Sequence, residues 1–342
     1  MKDLKNNLFG ILYGIGLMAF TGYALLDTFV IPKKEAAAVS TETAAAAVKE
    51  TESATAAQAE ESAAASQKPG KKGSRKASTA LETGSSDSAS AAVTAETAGE
   101  AEVIGSYSSN GISITVSEYR ANDTSIYAAD VTVQSASDLK TAFAENSFGR
   151  NIKAVTSQIA SENNAVLAIN GDFYGAQTDG YVLRNGTLYR STSAGNEDLA
   201  IMSDGSFEIF NEDDTTAEAM LAKGAQQILS FGPALVENGS VSVTSDEEVG
   251  KAMASNPRTA IGILADGHYV FVVSDGRTSE STGLTLYQMA QFMQSLGCST
   301  AYNLDGGGSS TMYFNGQVIN QPTTNGTSIK ERAVSDIVYI GA

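Results

Sequence analysis

The chain has 342 residues but a single cysteine, Cys298, and a single histidine, His268. One cysteine excludes an intramolecular disulfide, and Cys298 reads as a small buried apolar residue. His268 follows Asp266-Gly267 in ILADGHYVFVV, a hairpin-turn context that predicts an exposed position. A lone turn histidine excludes Ser–His–Asp triads, Cys–His pairs and multi-histidine metal sites. The chemistry is left to carboxylates, arginine, hydroxyls, amides and backbone. Basic residues are also scarce, with 22 Lys and Arg against 39 Asp and Glu and a net charge of -17. After Glu100 there are 27 acidic but only 12 basic residues, so the acidity belongs to the C-terminal part. Such a domain repels nucleic acid and anionic lipid. A few arginines focused in one cleft would still hold a phosphorylated substrate.

Charge is missing altogether from Leu8 to Leu26, a run of 19 residues with Lys2 and Lys5 before it and Lys33 and Lys34 after it. That length suits a membrane-spanning helix better than the shorter apolar region of a cleaved signal peptide. The lysines on the two sides do not set its orientation. From Lys33 to about Glu102 large apolar residues are nearly absent. A stretch of Ala, Ser, Thr, Glu and Lys cannot bury enough surface to offset chain entropy. The basic patch Lys68–Lys76 interrupts it, as a solvated segment or as a contact for an anionic wall polymer or membrane. The expected organisation is a transmembrane signal anchor at 1–32, a disordered linker at 33–105 and a folded domain at 106–342.

In that domain GISITV and SIYAADVTV alternate as strands do. Asn151 is expected to cap a helix with Ile152, Val155 and Ile159 on one face. Ala165–Asn170 (AVLAIN) follows as a buried strand. Five dipeptides, Asn185-Gly186, Asp204-Gly205, Asn238-Gly239, Asp266-Gly267 and Asn315-Gly316, predict hairpins with type I′ turns. A second helix is expected from Thr285 to Leu296, with Gly297 after its end. Thr300–Leu304 is a short strand leading into a glycine run. The fold class is α+β, a mixed, largely antiparallel β-sheet with many hairpins, flanked by helices. The acidic stretches Asn211–Asp214 and Asp246–Glu248 are expected to be solvated loops. They offer oxygen atoms to a structural calcium, though without EF-hand spacing. No other cofactor is implied.

Four segments carry the chemical signal: INGDFYG (Ile169–Gly175), NPRTAIG (Asn256–Gly262), SDGRTSESTGLTL (Ser274–Leu286) and YNLDGGGSSTM (Tyr302–Met312). VINQP and KERAVSDIV, within Val318–Val338, add a fifth. Together they resemble the phosphodiester glycosidase domain family over roughly Ala165 to Ala342. The resemblance implies hydrolysis of the bond between a sugar's anomeric carbon and a phosphodiester oxygen, on a GlcNAc-1-phosphodiester-like substrate in a cell-wall or exopolysaccharide polymer. It also favours a single-pass protein of the cell membrane with its catalytic domain extracytoplasmic. The family commonly has a glycine or small residue where Asp172 stands.

The residues also make chemical sense unaided. Gly306, Gly307 and Gly308 let backbone approach a ligand and can aim N–H groups at an anion. Ser309, Ser310 and Thr311 add hydroxyls. Only seven arginines follow residue 100, and Arg258, Arg277 and Arg332 lie in the motifs. Arginine binds phosphate oxygens bidentately. A departing phosphate needs charge stabilisation more than a strong acid, plus one carboxylate to activate water or attack carbon. Asp305 and Asp275 are the catalytic candidates. Asn170, Asn303 and Asp172 join the substrate- and phosphate-binding set. Each has a structural alternative: Asp305 and Asp275 as turn-fixing acceptors, the arginines as ion-pair partners, the asparagines as turn formers. Two other functions remain open. A phosphodiesterase would cut the P–O bond, although such enzymes usually need a metal cluster that the histidine shortage disfavours. A non-catalytic polysaccharide-binding module would use Phe173 and Tyr174 as a platform. The partners expected are a carbohydrate-phosphate substrate and the membrane, not nucleic acid.

Overall fold

The structure is a computed structural model that describes residues 2–37, 39–40, 100–246 and 255–341. Most of the expected linker, including Lys68–Lys76, lies outside the described residues. So do Glu247 and Glu248 of the second acidic stretch.

Three antiparallel sheets surround one core. Across the eight-stranded sheet the order is Ser240–Val241, Ala234–Glu237, Thr300–Leu304, Arg258–Ala265, His268–Ser274, Thr124–Thr132, Ile112–Ala121 and Glu102–Ser109. The five-stranded sheet runs Gln317–Val318, Met312–Phe314, Ala165–Asn170, Asp336–Gly341 and Leu139–Phe143. A six-stranded sheet contains Glu197–Met202, Ala225–Leu229, Val182–Arg184 and Thr187–Arg190. Side chains alternate between faces, as a pleated strand requires. In His268–Ser274, Phe271 and Val273 join Ile114, Leu167, Ile169, Leu199, Tyr302 and Val338 in the shared core. Val270 and Val272 point the other way, onto the helix Leu286–Ser295.

Four helices occur among the described residues: α1 (Lys2–Phe29), α2 (Thr156–Glu162), α3 (Ala217–Lys223) and α4 (Leu286–Ser295). α4 is bounded as its sequence predicts. The Thr285 hydroxyl and the Gln288 side chain form a reciprocal capping box, and Gly297 takes positive φ after the helix. Leu286, Met289 and Met293 form its buried stripe, and Cys298 is buried beside them. α2 differs from expectation. It starts at Thr156, and Asn151 sits outside it with φ of 60°. The cap comes from a distant carboxylate, since Glu331 accepts from both the Ser157 N–H (2.9 Å) and the Ser157 hydroxyl. An anionic acceptor at a helix N-terminus serves as well as a local cap.

All five expected hairpins form. Asn185-Gly186, Asn238-Gly239 and Asn315-Gly316 have positive φ at both positions, the type I′ signature. At Asp204-Gly205 and Asp266-Gly267 only the glycine does, a correction to the uniform type I′ assignment. His268 begins a strand and is half-buried, with Nε2 2.9 Å from Asp130. The first acidic stretch is also revised. Glu212 is buried and accepts from the backbone of Tyr181 (2.8 Å) and Asn196 (3.3 Å), so its carboxylate already has ligands. Among the described residues no three His, Cys, Asp or Glu side chains gather to hold a metal.

The folded region begins at Glu102, four residues earlier than expected, and the chain before it also touches the domain. Lys33–Lys34 pairs with Gly149–Arg150, and Val39–Ser40 pairs with Thr187–Leu188. α1 covers the uncharged run, and Tyr13, Leu17, Met18, Phe20, Tyr23 and Leu25 are each more than half exposed on it. Among the described residues no helix is long and apolar enough to cross a membrane.

Asp198 is wholly buried in the six-stranded sheet. Burial first, and the neighbouring Glu212 carboxylate second, push it up to about 9. The folded domain keeps a proton there that the unfolded chain releases above about pH 4. Stability is therefore expected to fall as pH rises from about 4 to about 9. The slope would be up to ~1.4 kcal/mol per pH unit, the value for one proton. Urea denaturation across that range checks this. Asp198→Asn should flatten the slope, and curves parallel to wild type would refute the assignment.

Candidate functional site

Three neighbouring strands of the eight-stranded sheet end together. Arg258 opens one opposite Ser274, and Thr259 lies opposite Leu304. The motif residues Asp275 and Asp305 come directly after two of these ends. Asn170 ends a strand of the five-stranded sheet, opposite Ile337.

The Asn170 side chain joins the two sheets. It is fully buried. Its amide donates to the Asp305 carbonyl at 2.6 Å and to the Gly171 carbonyl at 3.3 Å. Its oxygen accepts from the Thr259 hydroxyl at 2.9 Å and the Thr311 N–H at 3.3 Å. Both amide hydrogens and both oxygen lone pairs are thus engaged. Asn170 builds the site and has no capacity left for a sugar hydroxyl.

The three glycines are needed for three different close approaches. A Cβ on Gly306 would stand 2.8 Å from the Pro257 carbonyl oxygen. Gly307 has φ of 61°, its N–H donates to Pro257 O at 2.8 Å, and a Cβ there would meet the Arg277 guanidinium at 2.8 Å. Gly308 packs against Thr324. The run follows the surface of its neighbours, and the Gly307, Ser309 and Ser310 N–H groups are all paired within the protein. The expectation that the run aims free N–H groups at an anion is thereby corrected at Gly307, whose missing side chain instead admits the Arg277 guanidinium.

Arg332 ties the run together at several points. Its Nη2 lies 3.0 and 3.2 Å from the two Asp305 carboxylate oxygens and 3.0 Å from the Gly306 carbonyl. Its Nε donates to the Ser309 hydroxyl at 2.9 Å, and its backbone N–H to Gly308 O at 3.2 Å. Arg277 has φ of 65°, a conformation that costs about 1–3 kcal/mol for such a side chain. It is held there by Asn256 Oδ1 at 3.0 Å and Thr324 O at 2.6 Å. Arg258 is buried, with Nε donating to Leu284 O at 2.9 Å. Desolvation raises the Asp305 carboxyl above its ordinary range, while Arg332, Ser309 and the Gly306 N–H oppose the rise. Desolvation, then Arg332, lowers Arg277. Arg277 remains cationic at neutral pH.

These groups line a cleft of about 180 Å³ formed by Phe231, Asn256, Arg258, Arg277, Asn303, Leu304, Asp305, Gly306, Gly307 and Arg332. Asp275 is not among them. It is buried and accepts from the Asn320 amide (3.1 Å) and the Gln321 N–H (2.8 Å), which makes it a fastener for that loop. Asp172 is also inside the protein. It pairs with Arg184 at 2.8 Å and accepts from the N–H groups of Tyr174 and Ser230. Arg184 pairs in turn with Asp336 at 2.8 Å. Two carboxylates share one buried guanidinium, and burial, then Asp172, pushes Asp336 up. Asn303 lines the cleft and donates to Gly232 O at 2.8 Å. Ser310 is fully buried behind the run, its carbonyl bonded to Asn320. The sequence reading missed Asn256, Leu304 and Phe231 as lining residues. Asn256 and Leu304 lie in quoted motifs, whereas nothing in the sequence around Phe231 marks it.

Residues 163–341 match the family described as phosphodiester glycosidase. An uncharacterized SPbeta prophage-derived protein of Bacillus subtilis, YomE, is 31% identical over 199 residues, covering 56% of this chain and 30% of that protein. The bovine N-acetylglucosamine-1-phosphodiester alpha-N-acetylglucosaminidase is 30% identical over 192 residues, covering 50% of this chain and 35% of the enzyme. The chain thus spans about a third of the length of these relatives. The catalytic domain of the zebrafish enzyme of that name, solved in a form auto-inhibited by its pro-peptide, shares the fold. The TM-score is 0.55 at 22% identity, over 71% of this chain and 88% of that one.

Asn170→Ala removes the partner of three buried groups, on Asp305, Thr259 and Thr311. Each unpaired buried group costs about 1–3 kcal/mol, so a loss of ~3 kcal/mol or more is expected in urea denaturation. A loss below ~1 kcal/mol would show that the junction does not depend on this side chain.

Proposed function

The chain belongs to the phosphodiester glycosidase family, and on that premise we propose that it hydrolyses the C1–O bond of a sugar-1-phosphodiester, releasing free sugar and a phosphomonoester. The observation that carries this reading is the charge make-up of the cleft, in which one carboxylate, Asp305, stands among Arg258, Arg277 and Arg332. A departing phosphate is already a good leaving group and calls for cations rather than a proton donor. Arginines already held in place supply that compensation without reorganising. Asp305 then activates water or attacks the anomeric carbon. Arg332 is bonded to Asp305 at 3.0 Å. A substrate phosphate competes for the same guanidinium. As it binds it loosens that ion pair and leaves Asp305 more basic at the moment it is needed. The bovine relative's name points to GlcNAc as the sugar. A cell-wall or exopolysaccharide polymer is the substrate proposed, acted on outside the cytoplasm by a protein held at the membrane. The uncharged run Leu8–Leu26 and the exposed apolar side chains of α1 support that placement.

Supplying the full chain with a GlcNAc-1-phosphate diester tests the chemistry. Free GlcNAc with phosphomonoester is expected. Sugar-1-phosphate would indicate P–O cleavage, and binding without turnover a polysaccharide-binding module. Asp305→Asn should lower kcat by about a hundredfold or more with the fold retained. Wild-type turnover in that variant would remove Asp305 from the mechanism. Placement is tested by washing membranes of expressing cells with alkaline carbonate. The chain should stay in the pellet, and recovery in the wash would overturn the anchor.

A further inference from the structure

The segment between α1 and residue 40 is built onto the domain. α1 ends at Phe29, and a helix end leaves its last carbonyls without intrahelical partners. One of these, Thr28 O, is met by the domain: the Asn151 amide donates to it at 3.2 Å and Arg150 Nη2 at 3.4 Å. The Asn151 amide also reaches Ile31 O at 3.3 Å. Lys33 pairs with Asp27 at 2.6 Å, which folds the chain back at the helix end. Lys33 and Lys34 then lie antiparallel to Arg150 and Gly149, and the Glu35 N–H donates to Phe148 O at 3.0 Å.

Two residues of the domain are suited to this contact. Gly149 has φ of 153°, and any Cβ there would overlap the Lys33 carbonyl oxygen. Asn151 has φ of 60°, a conformation asparagine tolerates better than most residues. That conformation aims its amide at the end of α1. On its other side the Asn151 N–H donates to Gly175 O at 3.1 Å, so the contact abuts the INGDFYG turn.

We propose that Asp27–Glu35 is a latch that holds the domain directly on the C-terminal end of α1. The strands Val39–Ser40 and Glu102–Ser109 then both lie on this domain, and Asp27–Glu35 is its link to the helix. The proposal rests on these contacts alone and is independent of the glycosidase reading.

A disulfide trap in the full chain tests it. Antiparallel partners lie about 4.5–5.5 Å apart at Cα, within the disulfide range. Lys33→Cys with Arg150→Cys is therefore expected to close on mild oxidation. The backbone pairing and the Asn151 contacts survive both changes. The native thiol does not compete, because Cys298 is buried and burial pushes it up to about 12. A site-specific protease sequence inserted between Ser74 and Arg75 lets non-reducing electrophoresis score the link. The control pairs Lys33→Cys with Asp266→Cys, on a turn at the far end of the strand that Arg258 begins. Closure of the 33/150 pair at least about tenfold faster than the control is expected, the ratio given by ~1.4 kcal/mol. Equal rates would overturn the latch. Asn151→Asp keeps the backbone conformation but turns an acceptor onto the helix carbonyls. In the 33/150 chain, with melting temperature unchanged, it should slow closure. An unchanged rate would overturn the role given to Asn151.

Discussion

Everything chemical in this domain depends on one buried amide. The Asn170 side chain takes its position from one sheet and hands it to another, through Thr259, Thr311 and the Asp305 carbonyl. The NLDGGGSST run has too little side chain to hold itself in place. Its shape is imposed from outside by Asn170 below, by Pro257 and Thr324 at its sides, and by the arginines above. The catalytic carboxylate proposed here is therefore located by a residue that never meets the substrate. A loop with many glycines can still be well fixed if its neighbours meet it closely enough.

The same economy governs charge. The protein is strongly acidic, yet its cleft gathers three guanidinium groups around one carboxylate. Desolvation alone would favour the neutral form of Asp305, and Arg332 is the counterweight. Elsewhere the fold solves the burial of charge differently. Asp172 and Asp336 share Arg184, Glu212 collects backbone N–H groups, and Asp198 retains its proton. These four carboxylates are structural. Their number shows why counting acidic residues in motifs is a poor guide to catalysis.

The sequence made the local structure legible because the determinants are local. Asn-Gly turns carry their own backbone preference, and the Thr285–Gln288 pair announces a helix start within four residues. The family resemblance located the cleft, and Arg258, Arg277, Asn303, Asp305 and Arg332 do line it. What stayed hidden is where a side chain points when its partner is far away in sequence. Asp275 and Asp305 look alike in sequence, each following a buried strand. Only the position of Asn320 decides that Asp275 is a fastener. Asp172 looked like a departure in a binding motif until Arg184, on another sheet, supplied its partner. Asn151 was read as the cap of the helix after it, and it caps the one before it. The cap α2 does have, Glu331, comes from across the domain.

The topology has a consequence for how the protein is made. Asn170 and the Asp305 carbonyl that it holds are 135 residues apart in the chain. At a synthesis rate of about 5–20 residues per second, that separation is a wait on the order of ten seconds. During it the end of the strand Ala165–Asn170 has no partner for its amide. The strand Thr124–Thr132 waits in the same way for His268–Ser274 before its second edge is closed. Two strand borders therefore stay unsatisfied in the nascent chain, and the cleft is among the last features to take shape.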